Sequence, residues 1–380
     1  MRVKSETMDV FSKKDSCAIR GGGMLLMLFH HNFFDPSFFD GYTVIYNPFN
    51  ANQIVSLALY GKICVSLFAF ISGYGLILNY RNYINKNSFN NKSVEKWIIK
   101  REVKLLSPYW FIVFFSMIIT QLISNRVFFV YFKNKDTIVG FTEFLATFLG
   151  LNNILKMDIL VSTWWYMSAA VIFVLLIPLL ARSIDNFGYL VTISLICLIP
   201  RLLLFKAGAY QGAVGVITFI PPMVLGIYFA ESNIMEQFLT YTYIKMKNIK
   251  FSYSITFIID TVVLAASYIV YSHLPNSLLW EFKWGLLPII PLIYIRKYFI
   301  KIPLLYSILI YLGKHTTNIF LTHTYIRAIY LKDFTYSLKY FVLIMAFVLF
   351  SSLLLSIIIE YFKRILHYNQ LIESILIKLS

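Results

Sequence analysis

The sequence predicts an all-α integral membrane protein: a polytopic helical bundle of about ten transmembrane helices with no sizeable soluble domain. Three observations lead there. Of 380 residues, 59% are hydrophobic and only 14% charged, against roughly a quarter charged in soluble domains. Mean hydropathy is +0.70. Aromatic residues make up 18%, with 35 Phe and 27 Tyr, as expected of helices whose Phe faces lipid and whose Tyr and Trp sit at membrane interfaces.

Apolar runs fall near 17–34, 54–78, 107–125, 164–181, 187–205, 213–230, 252–272, 277–295, 314–330 and 337–359. Each approaches the roughly 20 apolar residues a spanning helix needs. The stretch 140–151 is too short to span and reads as re-entrant or interfacial. No internal repeat and no Gly/Ser linker divides the chain. The expected layout is a cytoplasmic tail at 1–16, one transmembrane domain at 17–359 and an amphipathic cytoplasmic tail at 360–380; an ordinary cytoplasmic tail with no function is the alternative for that last segment.

The net charge of +16 raises nucleic acid as a partner, but no soluble module is present to carry it, so none is expected. Basic residues retained on the cytoplasmic side explain it better. Arg2, Lys4, Lys13 and Lys14 precede the first span. Arg81, Lys86, Lys92, Lys96, Lys100, Arg101 and Lys104 follow the second, and Lys245, Lys247, Lys250, Arg296, Lys297 and Lys301 come later on the same side. Lys133, Lys135, Lys156 and Lys332 fall on the other side, yet the asymmetry places both termini in the cytoplasm. Cys17, Cys64 and Cys197 have no metal-ligand spacing and imply no disulfide framework. The first apolar run lacks a small-residue cleavage site, so a removed signal peptide is not expected.

Ionisable residues inside a bilayer are costly and mark function by default. The first span reads CAIRGGGMLLMLFHHNFF. Arg20 and His31 lie about three helical turns apart, on nearly the same face and roughly 16 Å apart along the axis. His30 sits off that line. Gly21, Gly22 and Gly23 make the helix slim. The blander reading has Arg20 snorkelling to the interface and the histidines bonded to a neighbouring helix. Lys62 lies inside an otherwise apolar second span, followed by Ser72-Gly73-Tyr74-Gly75. Arg101 and Lys104 share a helix face just before Pro108, which suits the first turn of the third span; together they form a grip for a phosphate-bearing ligand, or simply positive-inside charge. Trp164 and Trp165 suggest a site or an aromatic belt, and His323 a site or a satisfied core histidine.

Four of these stretches, in this order, resemble the acyltransferase-3 family, membrane O-acyltransferases of bacterial surface polysaccharides. Arg20 and His31, with ten residues between them, are similar to the family's Arg-x10-His. FAFISGYGL at 68–76 is similar to its Phe-rich SGY stretch, Arg101-x2-Lys104-x3-Pro108-Tyr109 to its RxxR…PY segment, and LGKHTTNIFLTH at 312–323 to its closing LGK-S…His stretch. The resemblance spans about 17–325. Lys104 stands where arginine is usual, Thr316 or Thr317 replaces a serine, and Ala170 stands where an acid would be, so no role for that acid carries over.

The resemblance implies transfer of an acyl group, acetyl by default, from cytoplasmic acetyl-CoA or another acyl-CoA to a sugar hydroxyl of an exported or lipid-linked glycan, in a bacterial cytoplasmic membrane. No permanently bound cofactor or metal is expected. Arg20, Arg101 and Lys104 would hold the donor's phosphates. His31, with Arg20, would act at the reacting centre as general base or transient acyl carrier. His30, Lys62, Tyr74, Trp165 and His323 remain candidates for binding the acceptor or supporting His31. The rival class is a transporter, flippase or polymerase for lipid-linked sugars. No internal duplication favours a transporter, and the longest outer loop, about 126–163, offers only Arg126 to a polymerase.

Overall fold

The computed structural model describes residues 11–204, 215–243, 249–274 and 281–379. Expected features at residues 1–10, in parts of the spans 187–205, 213–230 and 277–295, and at Lys245 and Lys247 lie outside the described residues. Among the described residues the chain is helical, and its single β feature is an isolated bridge between Ile45 and Tyr340.

Short turns aside, the helices are α1 (Lys13–Phe33), α2 (Ala51–Gly61), α3 (Ile63–Asn87), α4 (Asn91–Ser124), α5 (Thr137–Leu149), α6 (Tyr166–Leu204), α7 (Ile220–Glu231), α8 (Ile234–Thr240), α9 (Ile249–His273), α10 (Ile289–Tyr298), α11 (Pro303–Thr324), α12 (Phe341–Ile365) and α13 (Tyr368–Lys378). Local chemistry sets their ends. Ser12 and Asp15 form a reciprocal capping box at α1, with bonds of 3.1 and 2.9 Å. Asn50 and Gln53 do the same at α2, and Asn90 accepts the Ser93 N–H at 2.8 Å to start α4. Gly188, at φ 77°, breaks α6.

Five segments are long and apolar enough to cross a membrane: Ala51–Asn87, Asn91–Ser124, Ser162–Leu198, Lys250–His273 and Phe341–Ile365. A sixth is a pair bent by 83°, Gly215–Glu231 with Ile234–Thr240. The expected count of about ten is therefore not reached by length and composition. α1 and α11 are long enough but too polar, because Arg20, His30 and His31 interrupt one and Lys314, His315 and His323 the other. These two pack against each other inside the bundle, whereas α9 and α12 bury least and form its outer wall. The stretch 140–151 does form a short apolar helix, α5.

Two helix pairs approach closely because glycines face the partner backbone. A Cβ added at Gly21 would lie 2.1 Å from the Leu309 carbonyl oxygen, and one at Gly313 would lie 1.9 Å from that of Cys17. The α3–α7 pair repeats the device: Gly73 meets the Met223 oxygen and Gly226 the Phe70 oxygen, each at 2.0 Å. Small residues let helix backbones touch in this way where no hydrophobic effect drives association. Gly73 thus slims α3 without breaking it.

Pro108 is not at the start of a helix. α4 begins at Asn91, so the basic stretch is already helical, and Pro108 lies well inside it. Proline cannot donate to the carbonyl four residues back; the Ser107 hydroxyl reaches that Lys104 oxygen at 3.5 Å instead.

Candidate active site

Five elements enclose a cavity of about 510 Å³ in the middle of the bundle. From α1 come Arg20, His30 and His31; from the α2–α3 junction and α3 come Lys62, Phe68 and Ser72. α4 adds Lys104 and Pro108, the 3-10 turn Ser162–Trp165 and the start of α6 add Trp165, Tyr166 and Ala170, and α11 adds Thr316, Thr317 and Phe320. The prediction that Arg20 and His31 share a face is met: both line this cavity, Arg20 toward one end and His31 toward the other.

Each imidazole at the His31 end has a distinct setting. His30 Nδ1 lies 2.8 Å from the Ala58 carbonyl oxygen. A carbonyl only accepts, so Nδ1 carries the proton and Nε2 is left as acceptor. His323, fully buried, is fixed in the same way by the Ile319 and Phe320 carbonyls at 3.1 and 2.9 Å. His31 lies between them, with ring centroids 5.1 Å from each, and its own ring makes no hydrogen bond among the described residues. It is the histidine left open to a ligand.

The opposite end is cationic. Arg20 and Lys104 also line an adjoining cavity of about 370 Å³, where Arg101 joins them. Arg101 and Lys104 continue into an open groove of about 470 Å³ with Lys100, Tyr83 and Trp97. No carboxylate pairs with Arg20, Arg101 or Lys104 among the described residues. Asp15, the nearest acid along α1, is diverted to Arg296 at 3.2 Å and Tyr306 at 2.9 Å. Three adjoining spaces with shared walls therefore run from unpaired cations to His31.

Other sequence candidates lie elsewhere. Tyr74 turns away from the cavity and packs on Phe11, ring centroids 4.9 Å apart. Trp164 is no aromatic-belt residue: it is fully buried, with its indole N–H donating to the Leu321 oxygen at 2.9 Å. His315 bonds the Ser356 hydroxyl at 2.8 Å. It belongs with Asn318, Glu360 and Lys363 to a polar network tying α11 to α12. Ala170, the position of the missing acid, does line the cavity.

Two further basic residues were not singled out from the sequence. Arg327, 4% exposed, follows His323 by one turn, with its guanidinium 5.3 Å over the Phe38 ring. Lys283 is buried beside Trp284. The signal was available for both, since each is a charge within an apolar run.

Within the tail, residues 360–365 and 368–378 are helical. α12 runs on to Ile365, and α13 turns back against α4, where the Tyr368 hydroxyl donates to the Ser107 oxygen at 2.7 Å. Glu373, Leu376 and Ile377 of α13 wall the open groove beside Lys100 and Arg101. The three cysteines form no disulfide, and no cluster of metal-ligating side chains occurs among the described residues.

An interior lined by one open imidazole and unpaired cations, within a bundle of apolar helices, suits group transfer in a membrane. A family model described as an acyltransferase domain matches residues 17–361, nearly the whole chain. The protein is thus a membrane acyltransferase. It belongs to the acyltransferase-3 family, and the transporter and polymerase readings give way to that assignment. No curated protein and no solved structure matches the chain.

Proposed function

We propose that the protein moves an acyl group, acetyl by default, from acyl-CoA to a sugar hydroxyl of an exported or surface polysaccharide, in the cytoplasmic membrane of a bacterium with both termini inside. The observation that carries this reading is the placement of Arg20 and His31 at the two ends of one cavity, with the basic groove of Arg101 and Lys104 adjoining the Arg20 end.

The chemistry follows from that layout. Coenzyme A carries its phosphates at one end and the thioester at the other, joined by a long slim arm. Phosphates held by Arg20, Arg101 and Lys104 let the arm extend along the cavity and bring the thioester carbonyl toward His31. His31 takes the proton of the acceptor hydroxyl as its oxygen attacks the carbonyl. The new C–O ester bond forms, the C–S bond breaks, and the proton passes on to the departing thiolate. His30 and His323 position the His31 ring from either side, and Lys62, at the same end, offers a cation to the developing oxyanion. A cavity of about 510 Å³ has room for thioester and hydroxyl side by side next to His31.

The test uses membranes carrying the full chain, radiolabelled acetyl-CoA and purified surface polysaccharide from the host. Label should appear in alkali-labile ester on the polysaccharide, and His31→Ala at equal protein level should abolish it. Undiminished transfer by His31→Ala removes the assignment. Label retained on the protein without acceptor replaces the general-base step by an acyl-enzyme.

A further inference from the structure

Next to the chamber of His31 is a smaller cavity of about 200 Å³ walled by Ser56, Lys62, Tyr271, Ser272, Lys283 and Trp284. Lys62 stands in the wall of both. Building on the acyl-transfer reading, we propose that this cavity holds the acidic group of an anionic saccharide acceptor, a uronate carboxylate or a glycosyl phosphate, and so presents a neighbouring hydroxyl to His31.

The argument starts from charge. Lys283 is 7% exposed. Its ammonium donates to the Leu274 carbonyl at 2.8 Å and lies 4.7 Å from the Tyr271 ring centre and 5.9 Å from that of Trp284. Lys62 lies 5.0 Å from the same Trp284 ring. Two ammonium groups thus share one indole, and neither has a carboxylate partner among the described residues. Elsewhere the chain provides one: Asp260 for Lys297, Glu360 for Lys363, and Asp185 with Glu231 for Arg81. An aromatic face attracts a cation but carries no net charge, and it does nothing against repulsion between the two lysines. An anion between them would relieve both the desolvation and the repulsion.

The rest of the wall indicates what carries that anion. Tyr271 and Trp284 meet edge to face, centroids 5.4 Å apart, and supply flat apolar surface. The Ser56 hydroxyl, 2.8 Å from that of Tyr268, and the Ser272 hydroxyl add polar groups that can bond sugar hydroxyls. Cations, aromatic faces and hydroxyls in so small a space suit one acidic sugar unit, not an acyl chain. The position fits an acceptor too. The cavity adjoins the His31 end, whereas the cations proposed for the donor occupy the other.

The test measures Kd by calorimetry on the purified full chain in detergent, with three probes: trigalacturonate, the neutral galactose trisaccharide made from it by carboxyl reduction, and galactose 1-phosphate. At least one acidic probe should bind tenfold or more tighter than the neutral one, and which acid wins tells carboxylate from phosphate. Lys283→Met should erase the preference and Lys283→Arg should restore it. Ser272→Glu, which adds an acid at the wall without touching either lysine, should erase it as well. Equal binding of all probes, no binding of any, or a preference that survives both Lys283→Met and Ser272→Glu overturns the proposal. Acyl transfer is scored separately. His31→Ala should keep the anion preference while losing transfer. A preference without any transfer in the unaltered protein retains this site and removes the acyltransfer reading given above; transfer without the preference does the reverse.

Discussion

The imidazoles of His31 and His323, from α1 and α11, lie 5.1 Å apart between ring centroids. Both Nδ1–H bonds of His323 go to carbonyls of its own helix, so His323 is held rigidly while His31 faces the cavity. The first prediction follows. His31→Ala should lower kcat by about 10²–10⁴-fold, the usual contribution of a positioned acid–base group. His323→Ala should lose less, roughly 10–10²-fold, the scale of misplacing a reacting group by about 1 Å. Measuring kcat for both variants from labelled acetyl transfer checks the order; a larger loss at His323 would reverse the assigned roles.

Arg20 and Lys104 line the main cavity and its neighbour together. A charge-assisted hydrogen bond contributes about 1.5–3 kcal/mol, so Arg20→Ala and Lys104→Ala should each raise KM for acyl-CoA by about ten- to a hundredfold. kcat should change less, because the phosphates are held equally in ground and transition states. Steady-state kinetics at saturating acceptor separates the two constants. A pure kcat effect would move these cations from donor binding to the chemical step.

The α1–α11 contact depends on Gly21 and Gly313, each within about 2 Å of a partner carbonyl once a Cβ is added. Gly313→Ala must push the helices apart and should cost about 1–3 kcal/mol or more, read as a lower thermal midpoint in detergent. Gly22 is the control, since its nearest neighbour would be the Ile295 Cδ1 at 3.9 Å. Gly22→Ala should be neutral or stabilising by up to about 1 kcal/mol, the helix propensity gained. Equal losses at both positions would argue against the packing account.

Glu373 of α13 walls the groove beside Lys100 and Arg101, so it competes with any phosphate entering there. Glu373→Gln should lower KM for acyl-CoA by about two- to fivefold at low ionic strength, the effect of one exposed charge. The difference should vanish near 1 M salt, where screening acts within about 3 Å. A KM indifferent to the substitution at low salt would mean the donor enters elsewhere.

Much of the site was readable along the chain because a helix converts spacing into direction. Arg20 and His31 are on one face by periodicity alone, and Arg101 and Lys104 likewise. Lys62 stood out as a charge in an apolar run. Tyr74 is not placed by spacing alone: on α3, Phe68 and Ser72 face the cavity while Gly73 faces α7 and Tyr74 packs on Phe11, and sequence does not say which neighbour each face has.

The sequence by itself determined the membrane class, the helical architecture and the pairing of a cation with a histidine on the first helix, since hydropathy and helical periodicity are local properties. Only the tertiary structure decided that His323 comes to His31, that His315 does not, that α13 returns to wall the basic groove, and that Lys62 and Lys283 share Trp284. Each depends on contacts between distant helices; the meeting of His323 with His31 follows from the close approach of α1 and α11 at Gly21 and Gly313. That approach also explains why α1 and α11, too polar for a lipid-facing span, can form the centre of the bundle: they are solvated by each other and by the cavity instead of by lipid.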